Sequence, residues 1–246
     1  MIEFVFLSLD TKLTGMGGIL NFTACTIGQN SFRCFERLSV DERKMLDDSS
    51  VVIKYRKGET ICKQGGFVSQ VMFLEKGLAK VFLDSGGNTL VLKIICDGNF
   101  IGLSSVSEGS NTYQYTVSTY VDSEVRQIDL SVFRSLLSSN ADFSKEVIDI
   151  LTSNSAQIYG RFFCLTNKQA YGRLADIILC LSERVFKSNQ FDLPLSRRDL
   201  AELSGMSAET VIRILKKFND EKLIELDGKK FRVIDGPALQ RISETG

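Results

Sequence analysis

The stretch Leu195–Lys217, LSRRDLAELSGMSAETVIRILKK, leaves this chain little conformational choice. Ser196 followed by Asp199 is a helix start: the hydroxyl caps a free backbone N–H, and the acid sits in the positive first turn. Leu200, Ala201 and Leu203 supply an apolar face. Ser204-Gly205-Met206 then breaks the helix, because Gly tolerates the left-handed conformation that a tight turn needs. Ser207 caps a second helix, with Val211, Ile214, Leu215 and Phe218 on one face. Ala201 is small where two helices cross, Gly205 lies in the turn four residues later, and Val211 and Ile214 fall where the second helix packs back. The spacing predicts a helix-turn-helix, whose second helix enters the DNA major groove.

Glu209 and Arg213, four residues apart, share the face opposite the packing stripe. Arg forks onto guanine O6 and N7; Glu accepts from cytosine N4 and also holds the Arg fork. Ser207 and Thr210 near the helix start, Lys216 on its exposed side, Arg197 and Arg198 are phosphate contacts. The competing reading of Glu209 and Arg213 is a solvated ion pair worth about 0.3–0.5 kcal/mol.

The whole-chain charge does not advertise nucleic acid: 30 Lys+Arg balance 30 Asp+Glu over 246 residues. From Thr166 onward 14 Lys+Arg face 12 Asp+Glu, net +2, which leaves −2 for the rest. The DNA expectation therefore rests on the motif. There is no His, which excludes a Ser-His-Asp triad, a His base, His-ligated zinc and His-ligated haem. No enzyme, metal or cofactor is expected. The six Cys, at 25, 34, 62, 96, 164 and 180, form no C-x-x-C pair and read as reduced, mostly buried thiols. The apolar run Phe4–Leu9 stops at Asp10 and Lys12, lacks a basic n-region and is too short to span a bilayer. Residues 1–31 are expected to be an N-terminal extension, disordered or loosely docked, with Met16 an alternative start, and the protein to be cytoplasmic without a membrane partner.

A helix is expected over Phe35–Asp48. From Ser50 the texture changes to short β-rich runs at Val51–Tyr55, Thr60–Lys63, Val71–Glu75, Leu78–Leu83, Thr89–Ile95, Tyr113–Tyr120 and Glu124–Ile128. Their spacing predicts an antiparallel barrel or jelly roll, with a hairpin at Ser85-Gly86-Gly87-Asn88. After Asp129 the period becomes helical: a short helix over Ser131–Leu137, then a long one over Asp142–Leu165. Val147, Leu151, Asn154, Ile158 and Leu165 fit an apolar seam with one polar residue, as in a short coiled coil, interrupted by Arg161 beside Phe162. Either this seam makes a homodimer or it packs on its own barrel. Gln169–Val185 is another amphipathic helix, and Phe191–Pro194 a linker. Leu223–Leu226 and Phe231–Ile234 flank Asp227-Gly228, a hairpin signal, with Lys229 and Lys230 at the tip as further phosphate contacts.

The order is barrel, long helix, helix-turn-helix and wing. Within it, Tyr55-Arg56-Lys57-Gly58-Glu59-Thr60-Ile61, Gln64-Gly65, Phe73, Gly77 and Gly98-Asn99-Phe100-Ile101-Gly102 are similar to a cyclic-nucleotide-binding barrel. Tyr171-Gly172-Arg173-Leu174-Ala175 and Glu209-Thr210-Val211-Ile212-Arg213 are similar to a winged-helix start and a recognition helix. From about Phe32 to Glu244 the chain resembles a bacterial Crp/Fnr-type transcription regulator. The resemblance implies an α+β chain: a cyclic-nucleotide-binding-like antiparallel jelly-roll effector domain over 32–140, a dimerisation helix over 141–165, and a winged helix-turn-helix over 166–246. It also implies a homodimer on a palindromic double-stranded operator, RNA polymerase as a partner, and an unidentified small-molecule effector or none.

The resemblance places the effector pocket at Gly102, Leu103, Tyr113, Gln114, Ile158 and Tyr159. Cyclic-AMP-binding members carry a Glu where Leu103 stands, an Arg-Ser pair where Tyr113 and Gln114 stand, and a hydroxyl where Ile158 stands. A buried phosphate needs a cation or a ring of N–H donors, so an effector other than cyclic AMP is expected. Cyclic-AMP-responsive members also carry Arg where Ala208 stands, so one base contact of their operator is expected to be missing. Oxygen-sensing members bind an iron–sulfur cluster through four thiolates; only Cys25 and Cys34 precede the barrel here. The alternatives are a redox-responsive, Cys-based regulator and a DNA-free dimeric scaffold or signalling protein.

Overall fold

The computed structural model describes residues 31–246; Phe4–Leu9, Met16 and Cys25 lie outside them. The helix expected over 35–48 is two helices, α1 (Arg33–Glu36) and α2 (Val40–Asp48). Ser39 separates them: it is extended, at φ −63° and ψ 169°, and caps α2 in a capping box with Glu42.

Eight strands follow: β1 (Ser50–Tyr55), β2 (Thr60–Cys62), β3 (Gln70–Lys76), β4 (Leu78–Ser85), β5 (Asn88–Cys96), β6 (Asn99–Ile101), β7 (Thr116–Thr119) and β8 (Ser123–Asp129). They form two antiparallel four-stranded sheets, ordered β1-β8-β3-β6 and β2-β7-β4-β5, as expected of a jelly roll. Val71, Phe73, Val125 and Ile128 from the first sheet and Val81, Ile95 and Val117 from the second share one buried core. Ser85 pairs with Asn88 across Gly86-Gly87, the hairpin expected there. β6 was hidden, since three residues between Gly98 and Gly102 are too few to show alternation. β7 is shorter than the expected Tyr113–Tyr120 run, so Tyr113 and Tyr115 belong to the loop before it.

Asp129 caps α3 (Leu130–Ser139), and Asn140 caps α4 (Ala141–Asn167). Edge-to-face rings run from Phe73 through Phe100 and Phe133 to Phe143 at 4.9, 5.8 and 5.5 Å, and carry the barrel core onto α4. The remaining elements are α5 (Ala170–Cys180), extended by one π turn over 181–185, β9 (Gln190–Asp192), α6 (Arg197–Ser204), α7 (Ala208–Asp220), β10 (Ile224–Asp227), β11 (Lys230–Val233) and α8 (Gly236–Thr245). The segment expected to be a linker contains a strand: Phe191 pairs with Phe231, so the wing is a three-stranded sheet, β10-β11-β9. α8 had no counterpart in the sequence reading; Asp235 caps it, and Leu239 is fully buried in the winged-helix core.

The long seam is corrected in register. Val147 is buried in the barrel core, and Asn154 Oδ1 accepts from Lys93 Nζ of β5 at 2.7 Å. Leu165 packs at the turn between α6 and α7, 3.1 Å from where a Cβ on Gly205 would lie. Arg161, read as a break, faces inward, 4% exposed. The row left open is Ile148, Leu151, Ser155, Ile158 and Phe162, stepping by three and four, with Phe162 69% exposed. The apolar seam is therefore split between two faces of α4: Val147 and Asn154 lie on the barrel side, and the second row is open.

The barrel and winged helix touch directly. Arg161 Nε donates to Val91 O at 3.1 Å, and the same guanidinium donates to Leu203 O of α6. Lys80 of β4 pairs with Glu202 of α6, and Lys57 Nζ donates to Pro194 O at 2.8 Å. Leu78, Val91, Ile94 and Tyr120 join the same buried cluster as Leu200 and Leu203.

Candidate nucleic-acid interface

α6 and α7 are shaped by their caps. Ser196 Oγ accepts from Asp199 N, and the Asp199 carboxylate accepts from Ser196 N at 2.8 Å. Gly205 ends α6 in the left-handed region at φ 62°, where a Cβ would also press on Leu165. Ser207 Oγ accepts from Thr210 N at 3.2 Å and starts α7. Val211, Ile214, Leu215 and Phe218 are buried against α6 and the wing; each such side chain contributes about 1.5–3 kcal/mol by leaving water. That burial fixes which face of α7 stays open.

The open face carries Glu209, Ile212, Arg213 and Lys216. Glu209 sits at the helix N-terminus, and hydrogen bonds from its own backbone N–H and from Ser207 hold its carboxyl below the ordinary range. Lys217, near the end of α7, pairs with Glu221 just past it at 3.8 Å and lies over the Tyr171 ring at 5.1 Å. In the sequence Ile212 stands only within the recognition-helix motif, with no role of its own. It is 52% exposed, beside Arg213 and one turn from Glu209. The available signal was an apolar residue standing off the 211/214/215/218 stripe.

The remaining residues divide. Ser207 and Thr210 are tied to each other at 3.1 Å, and Ala208 is half-buried against the core. Arg198 is open and pairs with Glu202 at 3.5 Å, whereas Arg197 is half-buried and its pKa is lowered by that burial. The wing turn lies one residue later than expected: Asp227 pairs with Lys230, so Gly228-Lys229 forms the loop and Lys230 begins β11. Lys229 and Lys230 are both exposed.

The pocket residues are only partly brought together. Gly102, at φ 91°, turns the chain after β6, and Leu103 is buried below it. Tyr113 is 8% exposed; its ring edge lies 3.2 Å from where a Cβ on Gly102 would stand, and its hydroxyl donates to Gln70 O at 3.1 Å. Gln114 faces out and donates to Thr112 O at 3.1 Å. Ile158 and Tyr159 lie on the open side of α4, not buried with Tyr113. Tyr115 was not foreseen: its hydroxyl accepts from Gly102 N at 2.9 Å. Arg126 of β8 pairs with Glu75 at 2.6 Å and Asp47 at 2.8 Å, so its charge is not offered to this pocket.

Burial pushes the thiols up, Cys34 and Cys62 to about 12 and Cys164 to about 11, which disfavours the reactive thiolate. Among the described residues no group of three or more Cys, Asp or Glu could hold a metal ion, and no helix is long and apolar enough to cross a membrane.

Known proteins are similar along most of this length. Residues 52–140 match the cyclic nucleotide-binding domain family and residues 172–242 the Crp-like helix-turn-helix domain family. The transcriptional activator protein FnrA of Stutzerimonas stutzeri is 26% identical over 82% of this chain and 84% of its own length. The cAMP-activated global transcriptional regulator CRP of Escherichia coli is 28% identical over 72% of this chain and 86% of its own. Among solved structures, FixK2 from Bradyrhizobium japonicum superposes with a TM-score of 0.73 at 19% identity, covering 80% of this chain and 98% of that one.

Proposed function

Because the chain belongs to the Crp/Fnr family of DNA-binding transcription regulators, we propose that it acts as a cytoplasmic homodimer on a palindromic operator, with RNA polymerase as its partner and without cyclic AMP as effector. The observation that carries this reading is the open face of α7, where Glu209, Ile212 and Arg213 stand together opposite a fully packed stripe. Arg213 reads a guanine and Glu209 a cytosine; Ile212 supplies an apolar surface for a thymine methyl. Lys216, Arg198, Lys229 and Lys230 meet phosphates, with Ser207, Thr210 and the half-buried Arg197 nearer the backbone side. Two copies, joined through the open row of α4, would present two α7 helices to two half-sites. The functional division is then effector domain 32–140, dimerisation helix 141–165 and DNA-binding domain 166–246.

Leu103, Tyr113 and Gln114 provide no cation for a cyclic phosphate. Each absent charge-assisted contact is worth on the order of 1.5–3 kcal/mol. The buried, protonated thiols of Cys34, Cys62 and Cys164 offer no reactive thiolate, while Cys180 is disulfide-bonded rather than reduced as expected; the intact open face of α7 speaks against a DNA-free scaffold.

Binding-site selection with the wild type and Arg213→Ala tests the reading. Arg213→Ala is expected to cost about 1–3 kcal/mol per half-site and to flatten the preference at one G·C pair in each half. Retention of the wild-type preference at every position would refute base reading by this helix.

A further inference from the structure

We propose that the barrel carries its own effector: the Tyr113 and Tyr115 side chains occupy the site at the Gly102 turn and hold the protein in its DNA-binding form without any small molecule. This rests on the DNA-binding reading above and goes beyond it, by saying what takes the place of the ligand.

The turn at Gly102 offers a backbone N–H at the end of β6, and a polar group must satisfy it if it is to be buried. Tyr115 does so through its hydroxyl, at 2.9 Å, and burial pushes that phenol's pKa up, so it stays neutral. Tyr113 closes the other side. Its ring rests on Gly102 and lies 3.9 Å from where a Cβ on Gly66 would stand, while its hydroxyl reaches Gln70 O of β3. Its phenol is likewise pushed up, to about 12, by burial and by the neighbouring Cys62, Tyr115 and Tyr55. Two phenols thus supply the volume and the hydrogen-bonding partner that a bound molecule would supply, and both are part of the chain.

A path of strand pairing, one ion pair and buried packing joins this plug to the DNA-binding unit. Tyr115 immediately precedes β7, whose Ser118 pairs with Lys80 of β4. Lys80 pairs with Glu202 of α6. Tyr120, just past β7, lies in the buried cluster shared with Leu200 and Leu203. Moving β7 therefore moves the surface on which α6 is seated, and α6 positions α7.

The test uses the full chain as wild type, Tyr115→Ala and Tyr115→Phe, with p-cresol and cyclic AMP as probes. Removing the phenol should leave a cavity that an aromatic molecule of matching shape can enter, and binding to the folded state alone raises Tm. Tyr115→Ala is expected to lose about tenfold or more in operator affinity, corresponding to a competent fraction near a tenth. Millimolar p-cresol should restore that affinity and raise the variant's Tm, with no effect on wild type. Tyr115→Phe, which keeps the ring, is expected to fold and to bind operator more weakly than wild type, covering the case in which the alanine variant does not fold. Cyclic AMP should leave wild-type operator affinity unchanged.

Wild-type affinity that rises tenfold with cyclic AMP overturns the proposal, as do Tyr115 variants that bind operator like wild type. If wild type bound no DNA, the family-based function would fail, but a cresol-dependent rise in Tm of Tyr115→Ala would still support the plug. A folded Tyr115→Ala whose Tm ignores p-cresol overturns the plug whatever happens at DNA.

Discussion

Ile212 and Lys216 stand on the same open face of α7, yet they should respond differently to substitution. Ile212→Ser removes an apolar surface that favours a thymine methyl, and is expected to weaken preference at one T·A pair while leaving the salt dependence of binding unchanged. On the proposed reading Lys216 meets phosphate, so Lys216→Ala should weaken all sequences alike and reduce the salt slope by about one unit per site. Titrations over a salt series, on the selected operator and on a scrambled one, separate the two. At this scale the sequence was legible where a residue's role follows from local spacing. The caps at Ser196 and Ser207 and the left-handed Gly205 needed only their neighbours. Ile212 and Tyr115 were missed because their roles depend on what the rest of the fold leaves open or brings near: an isoleucine off the packing stripe reads as an ordinary helix former, and only the folded barrel sets Tyr115 against Gly102.

α4 shows the same limit for a whole element. Its existence and length followed from period, but the facing of each row did not, since a seam against another copy and a seam against the barrel have the same spacing. The structure assigns Val147 and Asn154 to the barrel side and Ile148, Ser155 and Phe162 to the open side. β9 and β6 were lost for a related reason, since three residues that become strands through a distant partner carry no alternation of their own. The corrected register makes neighbouring positions diverge. Ile148→Glu combined with Phe162→Glu is expected to give a folded monomer with weaker operator binding, because two half-sites are no longer engaged together. Val147→Glu is expected to destabilise the barrel itself, by about 3 kcal/mol or more, since it buries an unpaired charge. Sedimentation and thermal unfolding distinguish these outcomes; a tight dimer after the double substitution would remove this face as the interface.

At the scale of the whole molecule, Lys93 is a buried cation that ties the barrel to α4, and its titration should appear in global stability. Lys93, on β5, donates to Asn154 on α4, and burial lowers its pKa from the ordinary 10.5 to about 8. Below about pH 8 the ammonium is charged in both folded and unfolded chains, and folding bears the full cost of burying it. Above that, the folded protein has released a proton that the unfolded chain keeps up to about pH 10.5, so stability rises with pH across this window. The buried thiols act in the opposite sense. Cys34 and Cys62, raised from 9.0 to about 12, stay protonated in the folded chain while the unfolded one ionises, so their contribution is lost as pH climbs above about 9. The two effects leave a shallow gain between about pH 8 and about pH 9, followed by a decline. Lys93→Met should abolish the gain and retain the decline. It should also raise stability near neutral pH, less whatever is lost by leaving Asn154 without its donor. Denaturant unfolding of both proteins across this range measures the difference directly, and an unchanged gain in Lys93→Met would show that another group is responsible for it.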